Sequence, residues 1–210
     1  MGSKYNKRNA KKRFYTESFT EKEQSIIALS VDVRNSTQMK SQIGNEKTIE
    51  VIKPFIEECF ILLKNRGCFY NYIYAGDGII AICNVNNNNE NFTNVYHCAI
   101  DINSYIKNFK TWVNEMYNYG FNAGIGIAWD AETYIEKIKN MPGKINNVLY
   151  VGNSISKASK LSGITPKKVS NVTYNIAVTR NFYSKLIDDD KKDFKYKSKK
   201  FNFTNISWKE

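Results

Sequence analysis

Two rhythms of apolar and polar positions run along this chain, and the switches between them mark its elements. From 25 to 33 the order Ser-Ile-Ile-Ala-Leu-Ser-Val-Asp-Val is almost unbroken apolar, which predicts a buried central strand with Asp32 at its rim. Ser36 and Thr37 then offer hydroxyls suited to a helix start. Toward Arg66, the residues Val51, Ile52, Phe55, Ile56, Cys59, Phe60 and Leu63 recur at helical spacing, so one face of a single long helix is predicted to be core.

Two short apolar runs, 69 to 74 and 79 to 83, flank Gly76-Asp77-Gly78 and predict a tight hairpin with Asp77 at its turn. Residues 84–91, rich in asparagine, predict a surface loop, after which Val95, Ala99, Ile102, Ile106 and Phe109 restore the helical period. Residues 121–129 and 147–151 read as strands and 154–161 as a short helix entered through Gly152 and Asn153; further elements are expected over 174–179 and 193–207. The order strand, helix, hairpin, helix, strands, short helix implies an α+β sandwich, with helices covering one side of a mainly antiparallel sheet.

A chain of 210 residues with 42% hydrophobic content can bury one core, so a single domain over 25–210 is expected behind a basic arm, 1–24. That arm opens with Lys4, Lys7, Arg8, Lys11, Lys12 and Arg13, and a second basic set runs over 191–200. No run of about 18 apolar residues could form a transmembrane segment, and the lysine-rich start lacks the apolar stretch of a secretion signal; a cytoplasmic location is expected. Cys59, Cys68, Cys83 and Cys98 have neither zinc-site spacing nor the density of a disulfide scaffold, so reduced thiols are expected. A net charge of +11 admits nucleic acid, acidic lipid or a nucleoside triphosphate as partner, but no helix-turn-helix, zinc or RNA-recognition signature accompanies it, so nucleic acid is not expected.

Alone, Asp32 is a helix-capping carboxylate and Gly76-Asp77-Gly78 is turn chemistry. Together, a strand-end aspartate and a hairpin aspartate on neighbouring strands can converge on one or two divalent ions, and hard oxygen ligands select Mg²⁺ or Mn²⁺. Residues 33–37 lie between them and lead into a helix N-terminus, whose free N–H groups favour a phosphate. Tyr72, Tyr74 and Trp129 could stack on a base, though aromatics flanking strands are more often packing; His97, the single histidine, is assigned no role.

Four blocks of this sequence, in order across about residues 25 to 165, resemble the class III nucleotidyl cyclases. Ser30-Val-Asp32-Val33-Arg34-Asn35-Ser36-Thr37 is similar to the family's Asp-Ile-x-Gly-Phe-Thr element, whose aspartate and following carbonyl bind metal. Tyr74-Ala-Gly76-Asp77-Gly78 looks like its Gly-Asp hairpin, which holds the other metal ligand. Ala123-Gly124-Ile125-Gly126-Ile127 resembles its Arg-Val-Gly-Ile strand. The stretch from Gly152 to Leu161 resembles a helix that faces substrate across a dimer interface.

The resemblance implies a homodimer with composite sites. Asp32, Val33 and Asp77 would hold two divalent cations, Mn²⁺ or Mg²⁺, while Ser36 and Thr37 would meet phosphate. Ser156 stands at the family's asparagine position and Lys160 at its transition-state arginine, a charge without the planar fork. Gly124 stands where some members carry a phosphate-binding arginine, and Arg34 is an alternative source of a guanidinium. Ile73 and Leu149 fall at base-reading positions and offer neither donor nor acceptor, which disfavours a purine. The Asp-x-Arg-x-Ser-Thr form of the first block looks like the pyrimidine cyclases of bacterial Pycsar anti-phage systems. That narrower likeness implies conversion of UTP to 3′,5′-cyclic UMP, with CTP and then purines as alternatives, and a product read by a separate effector. The changes at Ser156 and Gly124 leave a catalytically dead nucleotide sensor as the rival reading.

Overall fold

In a computed structural model of the chain, residues 22–85, 89–137, 148–198 and 201–204 are described. Most of the expected basic arm, residues 1–21, lies outside them, as do 86–88 of the asparagine-rich stretch, 147 of the strand expected over 147–151, 199–200 of the C-terminal basic run and 205–207 of the element expected over 193–207.

The apolar run at 25–33 forms the middle of strand β1 (Lys22–Val33), with Ile26, Ile27, Ala28, Leu29 and Val31 fully buried. Burial on both faces follows from its position, because β1 pairs antiparallel with β3 (Gly78–Asn84) on one side and β4 (Ala123–Lys137) on the other. Outside β3 lies β2 (Phe69–Ala75); beyond β4 come β8 (Ile176–Thr179), β10 (Phe201–Thr204) and β9 (Tyr196–Lys197). The short β5 (Val148–Val151) pairs with the far half of β4 and completes eight strands. Among the described residues only the β4–β8 pairing is parallel, so the sandwich is mainly antiparallel, as expected.

One face of the sheet is covered by two long helices. Helix α2 (Asn45–Arg66) turns Val51, Phe55, Cys59 and Leu63 inward, and α3 (Glu90–Tyr117) turns Val95, Ala99, Ile102, Ile106 and Phe109 to the same core. The single helix expected from 36 to 66 is instead two, α1 (Ser36–Ile43) and α2, because Gly44 takes φ +85°, a left-handed conformation that ends one helix and restarts the other. Helices do not keep to one side as expected: the opposite face receives α4 (Asn153–Ile164), because Ala28, Ile80 and Ala128 make that face apolar too, and α4 packs over them through Ala158.

The segment after α4 contains elements absent from the sequence expectations. β6 (Lys167–Val169) and β7 (Val172–Tyr174) form a separate hairpin, and α5 (Arg180–Lys185) and α6 (Asp188–Lys191) follow β8. The element expected over 174–179 is broken at Asn175, whose carbonyl accepts from Ile125 N at 2.8 Å.

Candidate active site

Asp32 lies between two glycines. The register sets it opposite Gly78 on β3 and Gly124 on β4. A Cβ at Gly78 would stand 2.7 Å from the Val31 carbonyl and 3.3 Å from Asp32 Oδ1, so glycine on that side gives the carboxylate its room. Gly76 and Asp77 form a two-residue turn closed by the Ala75–Gly78 pair, with Gly76 at φ +63°, where such hairpins favour glycine.

The turn holds Asp77 close enough to act on Asp32. Burial pushes the Asp32 carboxyl above its ordinary value, the Asp77 charge pushes it further, and Arg34 pulls it back. Arg34 Nη1 lies 3.1 Å from Asp32 Oδ2 in an ion pair one-third exposed on each side. Among the described residues no group of three or more His, Cys, Asp or Glu is placed to hold a metal. The two carboxylates nevertheless offer hard oxygen donors, and a carboxyl raised by its neighbour's charge is relieved by a cation. The chemistry of the donors fits a divalent ion.

Arg34 N donates to Asn122 O at 2.9 Å, which holds the loop after β1 against the start of β4. Asn35 then takes the left-handed conformation, φ 57° and ψ 33°, and makes no side-chain cap, so α1 opens without one at Ser36 and Thr37. Asparagine tolerates that region because its short polar side chain can hydrogen-bond locally.

Ile73 pairs with Ile80, itself the partner of Ser30. The two-residue period puts Ile73, Ile80, Ser30 and Asp32 on one face of the sheet, the face that carries α4. Leu149 is elsewhere: it sits exposed on β5 opposite Glu136, twelve residues along β4 from Gly124. Ser156 and Lys160 are also exposed, on the outer side of α4. One chain therefore brings Asp32, Val33, Arg34, Ser36, Thr37 and Asp77 to one end of the sheet, with Ile73 on the face of Asp32, while the Val33 side chain turns the other way into the core under α2 and α3. The same chain leaves Leu149, Ser156 and Lys160 facing solvent.

Gly124 and Gly126 are where α4 touches the sheet. A Cβ at Gly124 would meet the carbonyls of Ser162 and Thr165 at 2.3 Å, and one at Gly126 would meet the Ala158 carbonyl at 2.1 Å. The absence of an arginine at 124 is therefore a packing requirement. Trp129 donates from Nε1 to Ser25 Oγ at 2.8 Å and packs edge-on against Phe92, so it is bound into the fold. His97 joins α3 to α6 through Asp190 at 3.0 Å. Sequence reasoning missed Lys110 and Lys168, which line a cleft with Arg34; only the tertiary fold brings them together.

No protein-family model matches the chain. Over 166 residues it is 22% identical to the uridylate cyclase of Treponema porcinum, a match that takes in 79% of this chain and 56% of that protein. The chain thus spans little more than half the length of the curated relative it matches. Among solved structures, the guanylyl cyclase Cya2 superposes with a TM-score of 0.68 at 14% identity, covering 88% of this chain and 92% of that one. The adenylyl cyclase CyaB from P. aeruginosa gives 0.65 at 13%, covering 87% and 93%. A bacterial light-regulated adenylyl cyclase gives 0.67 at 14%, covering 90% and 52%. The chain has the class III cyclase fold, in agreement with the resemblance of its four sequence blocks. No described helix is long and apolar enough to cross a membrane.

Proposed function

We propose that this chain is a pyrimidine nucleotide cyclase, converting UTP to 3′,5′-cyclic UMP and pyrophosphate as a second-messenger synthase in anti-phage defence, its product read by a separate effector. The observation that carries the cyclase reading is the juxtaposition of Asp32 at the end of β1 with Asp77 in the β2–β3 turn, close enough for one charge to raise the other's carboxyl. The fold supports it, and the weak likeness to a uridylate cyclase favours the base.

Asp32, Asp77 and the Val33 carbonyl would hold two divalent cations, Mn²⁺ or Mg²⁺. When bound, these supply activation of the ribose 3′-oxygen and neutralisation of triphosphate charge. The chain's own residues do the rest. Ser36 and Thr37 present the uncapped start of α1 to phosphate oxygens. Arg34, ion-paired with Asp32, would offer its guanidinium to the α-phosphate. Ile73, on the same face as Asp32, meets the base with an apolar side chain, which leaves a purine's polar edge unpaired at a cost of about 1–3 kcal/mol.

Leu149, Ser156 and Lys160 would act on the site of a second copy. Their exposure on one chain supports a homodimer, as do the exposed apolar residues Tyr74, Tyr134, Leu149 and Val151. Lys160 then places a point charge against the pentavalent phosphate, and Ser156 a hydroxyl near the ribose.

Incubation with equimolar ATP, GTP, CTP and UTP and Mn²⁺, with products resolved by mass, tests the reading. Cyclic UMP is expected to predominate and to vanish in Asp32→Ala and Asp77→Ala. Predominant cyclic CMP would move the choice of pyrimidine, and a cyclic purine would overturn the pyrimidine reading. The absence of any cyclic product would leave the nucleotide sensor.

A further inference from the structure

Beside Asp32 opens a cleft of about 320 Å³ whose lining includes Arg34, Lys110 and Lys168, with Asn35, Asn122 and Thr173 between them. We propose that this cleft takes the terminal β- and γ-phosphates of the nucleotide, and afterwards the pyrophosphate, with Lys110 and Lys168 as positioning residues; the proposal rests on the nucleotide cyclase reading.

Three cations line the cleft and no carboxylate does. Like charges gathered in one concavity repel, and a polyanion relieves that repulsion. The volume falls at the small end of the range of about 300–1,000 Å³ usual for small-molecule sites, which suits a phosphate tail better than a whole nucleotide. Arg34 joins the cleft to the acidic pair, since the same guanidinium that lines it meets Asp32 at 3.1 Å. A phosphate chain lying there would start at the cation-binding carboxylates and run away from them.

The cations come from three separate elements: the loop after β1, the last third of α3, and the β6–β7 hairpin. That hairpin is built to aim one lysine. Successive strand residues face opposite ways, and Lys167 sets its ammonium over the rings of Tyr196 and Phe203, at 5.4 and 5.1 Å. Lys168 therefore faces the other way, and its cross-strand partner is Thr173, which also lines the cleft. Strand β4 cannot supply a cation beside Asp32, because α4 fills the space over Gly124. The charge arrives from the hairpin and α3 instead.

Binding of inorganic tripolyphosphate to the full chain, measured by calorimetry in EDTA, tests the cleft without turnover. Lys110→Glu and Lys168→Glu are each expected to weaken it at least tenfold, and the glutamine variants to weaken it less. Lys53→Glu, exposed on α2, is expected to leave it unchanged. In turnover, the lysine variants should raise KM and the pyrophosphate inhibition constant together while kcat changes less. Unchanged tripolyphosphate binding in the Lys110→Glu/Lys168→Glu double variant would overturn the proposal, and so would an equal loss in Lys53→Glu. If no cyclic product forms but tripolyphosphate binding still depends on these two lysines, the cyclase reading fails and the cleft stands. If turnover proceeds and the double variant leaves KM and pyrophosphate inhibition unmoved, the cleft fails and the cyclase reading stands.

Discussion

Arg34 and Asp32, two positions apart, close an ion pair of 3.1 Å on the carboxylate that faces Asp77. The guanidinium holds an oxygen that a divalent cation would also need, so the two would compete for the carboxylate. A partly exposed pair of this kind is worth about 0.2–1 kcal/mol. Arg34→Gln is therefore expected to tighten Mn²⁺ binding without nucleotide by about 1.5- to 5-fold. Calorimetric titration of both proteins in the same salt reads this, and weaker binding in the variant would count against the competition.

Asp77→Asn should lower the pKa of Asp32 and stabilise the metal-free protein at neutral pH. Asp32 has a folded-state value above its ordinary one, so the folded state favours the protonated form. The repulsion is absent below the ordinary carboxylate range, grows as pH rises through the raised value, and is full at neutral pH. The stability gain of the variant should follow the same course and disappear in acid. Thermal unfolding across pH, with the Asp32 carboxyl followed by NMR, checks both halves.

Gly126→Ala is expected to lower stability by about 1–3 kcal/mol, because its Cβ would meet the Ala158 carbonyl at 2.1 Å and backbone cannot swing aside. Gly120→Ala is the control: a Cβ there meets nothing within 4 Å, and a change under about 0.5 kcal/mol is expected. Urea midpoints at constant slope distinguish the two.

Mixing Asp77→Ala subunits with Lys160→Ala subunits should recover part of the activity that each lacks. One of the two sites in the mixed dimer then has both residues. Failure to recover, once exchange of subunits is shown by mass, would argue for sites complete within one chain.

Much of the fold was legible because burial writes itself into spacing. The period of Val51, Phe55, Cys59 and Leu63 and the nearly unbroken run from Ile26 to Val31 are consequences of which faces lose water. The Gly76-Asp77 hairpin was legible for a local reason, since a two-residue turn needs glycine there. What was not legible depends on contacts distant in sequence. Gly44 looks like any glycine in a helical pattern until its φ of +85° splits α1 from α2. Gly124 read as a missing arginine, whereas the fold makes it the seat of a helix. Lys168 lay in a stretch too short and too polar to register as strands. Only the two rings beneath Lys167 settle which way Lys168 faces.

The buried hydroxyls of Ser30 and Ser162, 2.9 Å apart, fasten α4 to the strand that carries Asp32 two residues later. With Thr165 Oγ1, at the end of that helix, also bonded to the Ile125 carbonyl of β4 at 3.4 Å, helix and sheet move as one piece. In the paired assembly proposed above, Lys160 of one copy cannot reach the other's Asp32 by shifting its own helix. The gap between them is set by the angle at which two stiff halves meet. Any signal that starts or stops synthesis would then have to act on that angle, as a hand acts on a pair of shears.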